Sequence, residues 1–270
     1  MEFLKIFDAY SIRARLFPAI IASAPAMAAL ALLISWKSFG LSNAVATIGT
    51  LVLLFAIADF ARTRGRAIEK KLYAKNGGMP SITLLRYSDK TIDAGSKARY
   101  RQFLAHQLNA PLPTPEEEAA NPAAGDAFYE QSGVWIRHNT RDAKKFSLLF
   151  SENVAYGFRR NLLGVKWVGL ALNLLVVAGC ILLLWRDSWA FETSYGQRLS
   201  VVLIVACFHA MYMLGAVREP AVWDGAVAYG RQLILSCEEL MSGKKPPVTK
   251  RSPARKRPAK SADANLTKTE

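Results

Sequence analysis

Histidine and cysteine are scarce in this 270-residue chain, with three of each. His106, His138 and His209 are too few and too scattered for a multi-histidine metal centre. Cys180 and Cys207 fall inside apolar runs and Cys237 lies in a basic region, so they read as reduced packing residues and suggest no disulfide framework. The chain has no phosphate-cradling glycine loop, no Cys or His cluster at metal-ligand spacing and no nucleophile-elbow glycine pattern. These absences point away from an enzyme, and no cofactor is expected.

Charge is missing from four long runs. Phe17 to Trp36, Leu41 to Phe60, Trp167 to Trp185 and Leu199 to Val217 contain a single acid or base, Asp59, one residue from the end of its run. Each has about the 20 apolar residues that a helix needs to cross a hydrocarbon core. A helix buried in a soluble protein would interrupt such a run with polar residues every third or fourth position. The expected fold class is therefore an all-α membrane protein: two transmembrane helical hairpins, four spans in all, with a mainly helical cytoplasmic region between spans 2 and 3. The first run resembles a signal peptide in its basic flank and its small residues from Ala22 to Ala28, but it continues far enough to span and a second run follows at once.

Where charge is present it is one-sided. Of the 35 Lys and Arg, 32 lie in residues 1–16, 61–166 and 218–270, and the remaining three are Lys37, Arg186 and Arg198. The positive-inside rule puts both termini and the central region on the cytoplasmic side of the membrane. Trp36, Trp167, Trp185 and Trp189 mark the headgroup level at the edges of the runs. The outer connections, Lys37-Ser38-Phe39-Gly40 and Arg186 to Arg198, are too short to hold a receptor domain.

The chain divides into residues 1–61 (N-terminal segment and first hairpin), 62–166 (cytoplasmic region), 167–217 (second hairpin), 218–242 (juxtamembrane amphipathic helix) and 243–270 (disordered basic tail). In the cytoplasmic region a basic helical extension, Arg62 to Lys75, ends at the breaker Asn76-Gly77-Gly78-Met79-Pro80. Ile82 to Tyr87 has the composition of a short strand. Tyr100, Phe103, Leu104 and Leu108 share a helical face, which predicts a helix from about Asp93 to Leu108. Thr114 followed by Pro115 and three glutamates is a helix start, with the acids on the positive end of the dipole. Two longer helices follow, and the second, from Phe146, has no strong breaker before the third run. After Glu219-Pro220 an amphipathic helix extends from Val222 to Leu240, and beyond Gly243 no hydrophobic period remains.

Candidate binding residues come from the basic positions of the central region. Lys97 and Arg101 lie one turn apart with Tyr100 between them. Arg137, His138, Arg141 and Lys145 cluster where the two longer helices meet, and Arg159 and Arg160 sit nearer the membrane. Arginine forks and an aromatic face suit an anionic ligand; a solvated face with local ion pairs is the alternative. Within the runs Asp59, Asn173 and His209 are candidates for pore lining or for polar contact between helices, since polarity at membrane depth is expensive. The bases that follow the second run directly, Arg62, Arg64, Arg66, Lys70 and Lys71, are matched to anionic lipid, and those of the tail to lipid or to loose nucleic-acid contact.

The segment Leu112-Pro113-Thr114-Pro115-Glu116-Glu117-Glu118-Ala119-Ala120, with Thr140-Arg141-Asp142 and the run from Phe150 to Gly164 (Phe-Ser-Glu-Asn-Val-Ala-Tyr-Gly-Phe-Arg-Arg-Asn-Leu-Leu-Gly), resembles four-span proteins of bacterial anti-phage defence neighbourhoods. Among these the Hailong-type effector is the nearest. The resemblance implies a homo-oligomeric inner-membrane channel or membrane-disrupting effector, controlled by a nucleotide signal from a nucleotidyltransferase encoded nearby. The competing expectation is a non-channel scaffold or accessory subunit that docks a soluble partner. A small transporter ranks third, because the runs offer no dedicated midplane site.

Overall fold

The computed structural model describes residues 9–33 and 43–243. These form α1 (Ala9–Leu33), α2 (Asn43–Lys75), α3 (Pro80–Thr83), α4 (Ala94–Leu108), α5 (Pro115–Ala120), α6 (Pro122–Asn139), α7 (Ser147–Arg186), α8 (Ser194–Gly215) and α9 (Glu219–Met241). The protein is all-helical among the described residues. The expected turn at Lys37 to Gly40 and the basic tail after Gly243 lie outside them.

Most boundaries follow local chemistry. Asp93 caps α4 through the Ser96 amide at 2.8 Å, and Asn109, at φ 49°, ends it. Thr114 and Glu117 form a reciprocal capping box on α5, with Pro115 in its first turn. Gly77 and Gly78, at φ 76° and 134°, turn the chain after α2, a backbone that residues with a β-carbon rarely adopt. Ile82 to Tyr87 is not a strand. Pro80 starts a single helical turn, and the Leu84 and Leu85 amides continue it by bonding to the Pro80 and Ile82 carbonyls. The apolar run there lacks a period because Leu84 and Leu85 are both buried in the same core.

Three helices, α1, α7 and α8, have the length and apolar composition to cross a membrane. The fourth expected span lies within α2. Its described apolar side chains, including Ile48, Leu51, Val52 and Phe55, are exposed, and only from Ala58 onward does α2 pack closely.

The organising element is α7, 40 residues without a break and therefore about 60 Å long. Its far half packs with α1 and α8 into an apolar bundle, and its near half belongs to a polar domain made with α3 to α6 and α9. Small residues set the approach in the bundle. A β-carbon on Gly164 would sit 2.6 Å from the Gly65 amide nitrogen, and one on Gly169 would sit 3.1 Å from the Ala22 carbonyl oxygen. At the outer end the α7–α8 turn is closed by Thr193, which accepts from the Gly196 amide at 3.0 Å.

The polar domain has its own core. Leu85, Tyr100, Leu104, Tyr129, Ile136 and Leu233 are buried together, and Phe103 meets Trp135 edge-on at 5.6 Å. Most buried polarity is paired, although Arg101 Nη2 has no partner. Glu118 accepts from the Tyr129 hydroxyl at 2.6 Å and from the Tyr87 amide at 2.9 Å. Arg86 grips Asp126 through two nitrogens, at 2.8 and 2.6 Å, and this pairing holds the guanidinium above its ordinary pKa against the effect of burial.

Candidate functional site

The structure distributes the sequence-selected cations over three places. The first is the interior of the polar domain. Lys97 is 2% exposed and its ammonium donates to the Asp89 and Arg86 carbonyls at 2.5 and 3.2 Å and to Asp89 Oδ1 at 3.2 Å. Arg101, 4% exposed, lies over the Tyr87 ring at 3.6 Å and donates from Nε to the Leu85 carbonyl at 2.8 Å. Tyr100 donates its hydroxyl to Glu238 at 3.0 Å. Lys97 and Arg101 hold the irregular segment between α3 and α4, Tyr100 ties α4 to α9, and all three are buried. The segment leaves carbonyls without helical partners, and buried cations satisfy them.

The second place is the corner between α6 and α7. Arg137 reaches back to Ser81 Oγ at 3.5 Å. His138, Arg141 and Lys144 are exposed, and Lys145 lies over the Phe146 ring at 5.2 Å. Asp142 shapes this corner by accepting from the Lys144 and Lys145 amides at 2.9 and 3.2 Å. The same two bonds, Lys145 first, hold its carboxyl below the ordinary aspartate value. The corner is convex and basic, and its outward cations have the chemistry to meet a phosphate.

The third place is where α7 enters the bundle, and there its polar side chains reach several other helices. Tyr156 shares a hydroxyl–hydroxyl hydrogen bond of 3.0 Å with Tyr73 of α2 and stacks on Tyr229 of α9 with ring centroids 6.2 Å apart. Arg159 donates to the Ala221 carbonyl at the start of α9, at 3.3 Å. Arg160 pairs with Glu69 of α2 and lies over the Tyr156 ring at 5.4 Å. Asn161 is fully buried and donates at 2.6 Å to the Ala14 carbonyl of α1. Ala14 falls within a π-helical turn, Ile12–Leu16, where the regular ladder is interrupted. Lys166 donates to the Val217 carbonyl, just after α8, at 2.8 Å. Within eleven residues α7 thus engages α1, α2, α9 and the end of α8.

The electrostatics of this junction are fixed around neutrality. Burial raises Tyr73 strongly, reinforced by Tyr156. Tyr156 is raised to about 12, again by burial first. For Arg160 burial works against the charge, but Glu69 outweighs it and the guanidinium ends above its ordinary value. None of these three groups changes charge across neutral pH, so the junction is a mechanical tie and not a source of acid or base.

Of the candidates at membrane depth, Asn173 donates to the Ala206 carbonyl at 3.0 Å and joins α7 to α8. His209 is 7% exposed and neither ring nitrogen makes a hydrogen bond. Both are buried within the bundle. Asp59 is exposed on α2. Among the described residues no cluster of His, Cys, Asp and Glu could hold a metal ion.

Sequence reasoning overlooked Glu69, Tyr73, Asn161 and Tyr229. A signal was there for two pairs: Glu69 and Tyr73 lie one turn apart on α2, as Tyr156 and Arg160 do on α7, so matched faces were available. Asn161 and Tyr229 carry no such signal. Comparison of the chain with models of protein families, with curated proteins and with solved structures finds no match.

Proposed function

We propose that the chain is a four-span protein of a bacterial inner membrane, with both ends and the polar domain in the cytoplasm, acting as a homo-oligomeric effector of anti-phage defence. In this reading a nucleotide or short oligonucleotide binds the basic corner of Arg137, His138, Arg141, Lys144 and Lys145, and the bundle responds by opening or by disrupting the membrane. One observation carries it: α7 is continuous from that corner into the bundle and is tied on the way to every helix it passes. A ligand can drive such a change only if it binds the two arrangements of the bundle with different affinity. The resemblance lends support, because its motif contains Arg141, Asp142, Tyr156, Arg160, Asn161 and Gly164. The fourth span is the apolar part of α2, and its exposed face, with Asp59 at the end, is the surface offered to a second copy.

The test is expression in cells carrying a membrane-potential dye, with and without phage infection. Depolarisation on infection that Arg141→Glu with Lys144→Glu abolishes is the expected result. A potential that stays intact under every triggering condition counts against an effector. A scaffold that docks a soluble protein is the second reading, favoured by Val134 and Leu148, which are apolar and exposed on α6 and the start of α7. A nucleotidyltransferase gene next door favours the effector, and a cell-envelope operon favours the scaffold.

A further inference from the structure

A cleft of about 340 Å³ opens between α7, the end of α8 and the start of α9. One wall is apolar, with Phe158 and Leu162 of α7, and Tyr212 stands on α8. The opposite rim carries Arg159, Arg218 and Asp224. Both arginines are exposed, and among the described residues neither forms an ion pair. Glu219, the acid next to Arg218, is turned away to Lys75 at 3.3 Å. Arg218 also stands at the head of α9, whose first turn has no side-chain cap, so the positive end of that helix faces the same side.

We infer that this cleft binds the headgroup of a monoanionic glycerophospholipid, with the phosphate between Arg159 and Arg218. Two guanidinium groups against one carboxylate leave a single positive charge, which matches one phosphodiester. Asp224, an acceptor, takes a hydrogen bond from a headgroup hydroxyl. The apolar wall decides between a lipid and a soluble phosphate. It continues into the exposed Phe208, Met211 and Leu214 of α8, a surface along which an acyl chain can run and which a free nucleotide would leave in water. Tyr212 stands where an aromatic ring suits the headgroup layer. The site rests on α7 and α8 crossing a bilayer and not on any gating by a nucleotide.

The bound lipid would bridge the three elements that meet there, fixing α9 and with it the polar domain against the bundle. Native mass spectrometry of the full-length protein, extracted from vesicles of phosphatidylglycerol and phosphatidylcholine in equal parts, tests this directly. Phosphatidylglycerol is expected to be retained over phosphatidylcholine by about tenfold. Arg218→Gln, whose parent side chain makes no hydrogen bond within the described structure, should remove that preference, whereas Lys90→Gln, exposed between α3 and α4, should leave it. Adding sn-glycerol 3-phosphate should not displace the lipid. Equal retention of the two lipids, an unchanged preference in Arg218→Gln, or displacement by the soluble phosphate would each overturn the assignment. Resistance of the same samples to carbonate extraction separates this outcome from failure of the membrane-spanning reading, in which the protein itself leaves the membrane fraction.

Discussion

The two helices that connect the apolar bundle with the polar domain, α2 and α7, are alike in composition and opposite in packing. Both join a long apolar stretch to a charged one. Along α7 the buried face is made of Gly157, Asn161, Gly164, Gly169 and Asn173, small residues for close approach and amides for fixed bonds. Along α2 that combination appears only at the charged end, with Ala61 and Gly65 against α7 and Glu69 paired to Arg160. In the apolar part before it Ala58, near its end, is the one buried position among the described side chains. Apolar composition makes a helix compatible with a bilayer, whereas small residues and placed amides decide which helix it holds to.

That contrast can be broken most severely at Gly164. Gly164→Leu drives a side chain into the Gly65 backbone and should cost roughly 3 kcal/mol or more, seen as loss of a monodisperse peak in gel filtration after mild heating. Asn161→Ala leaves the buried Ala14 carbonyl without its donor and should cost about 2 kcal/mol, read from the midpoint of thermal unfolding in detergent. Gly49 on α2 sharpens the comparison from the other side. A β-carbon there meets nothing within 4 Å, so Gly49→Ala should gain about 0.5 kcal/mol from helix propensity alone. A large loss at Gly49 would show that the apolar part of α2 is packed against a second copy.

Elements set by short-range chemistry were legible in the sequence. The Asp93 and Thr114 caps, the proline at the head of α9 and the unbroken course of α7 all follow from residues close in the chain. The strand expected at Ile82 to Tyr87 is absent, and Lys97 and Arg101 are buried, for one reason. The segment from Leu84 to Ile92 is irregular, and its carbonyls at Leu85, Arg86 and Asp89 accept from Arg101 and Lys97 of α4. Backbone acceptors have no letter in a sequence, so two buried structural cations read as a binding pair. Arg159 and Arg160 were visible as charges, but their partners lie 62 and 91 residues away. The basic corner at Arg141 lies in the exposed connection between α6 and α7.

The tie at Asn161 divides α7 into unequal arms. From Ser147 to Asn161 the helix rises about 21 Å, and from Asn161 to Arg186 about 38 Å. A stiff rod pinned at that fulcrum works as a lever whose long arm lies in the bundle. A rocking of about 5° imposed on the short arm sweeps the outer end by about 3 Å, nearly twice the displacement at the driven end. Such a sweep is comparable with the diameter of a water molecule.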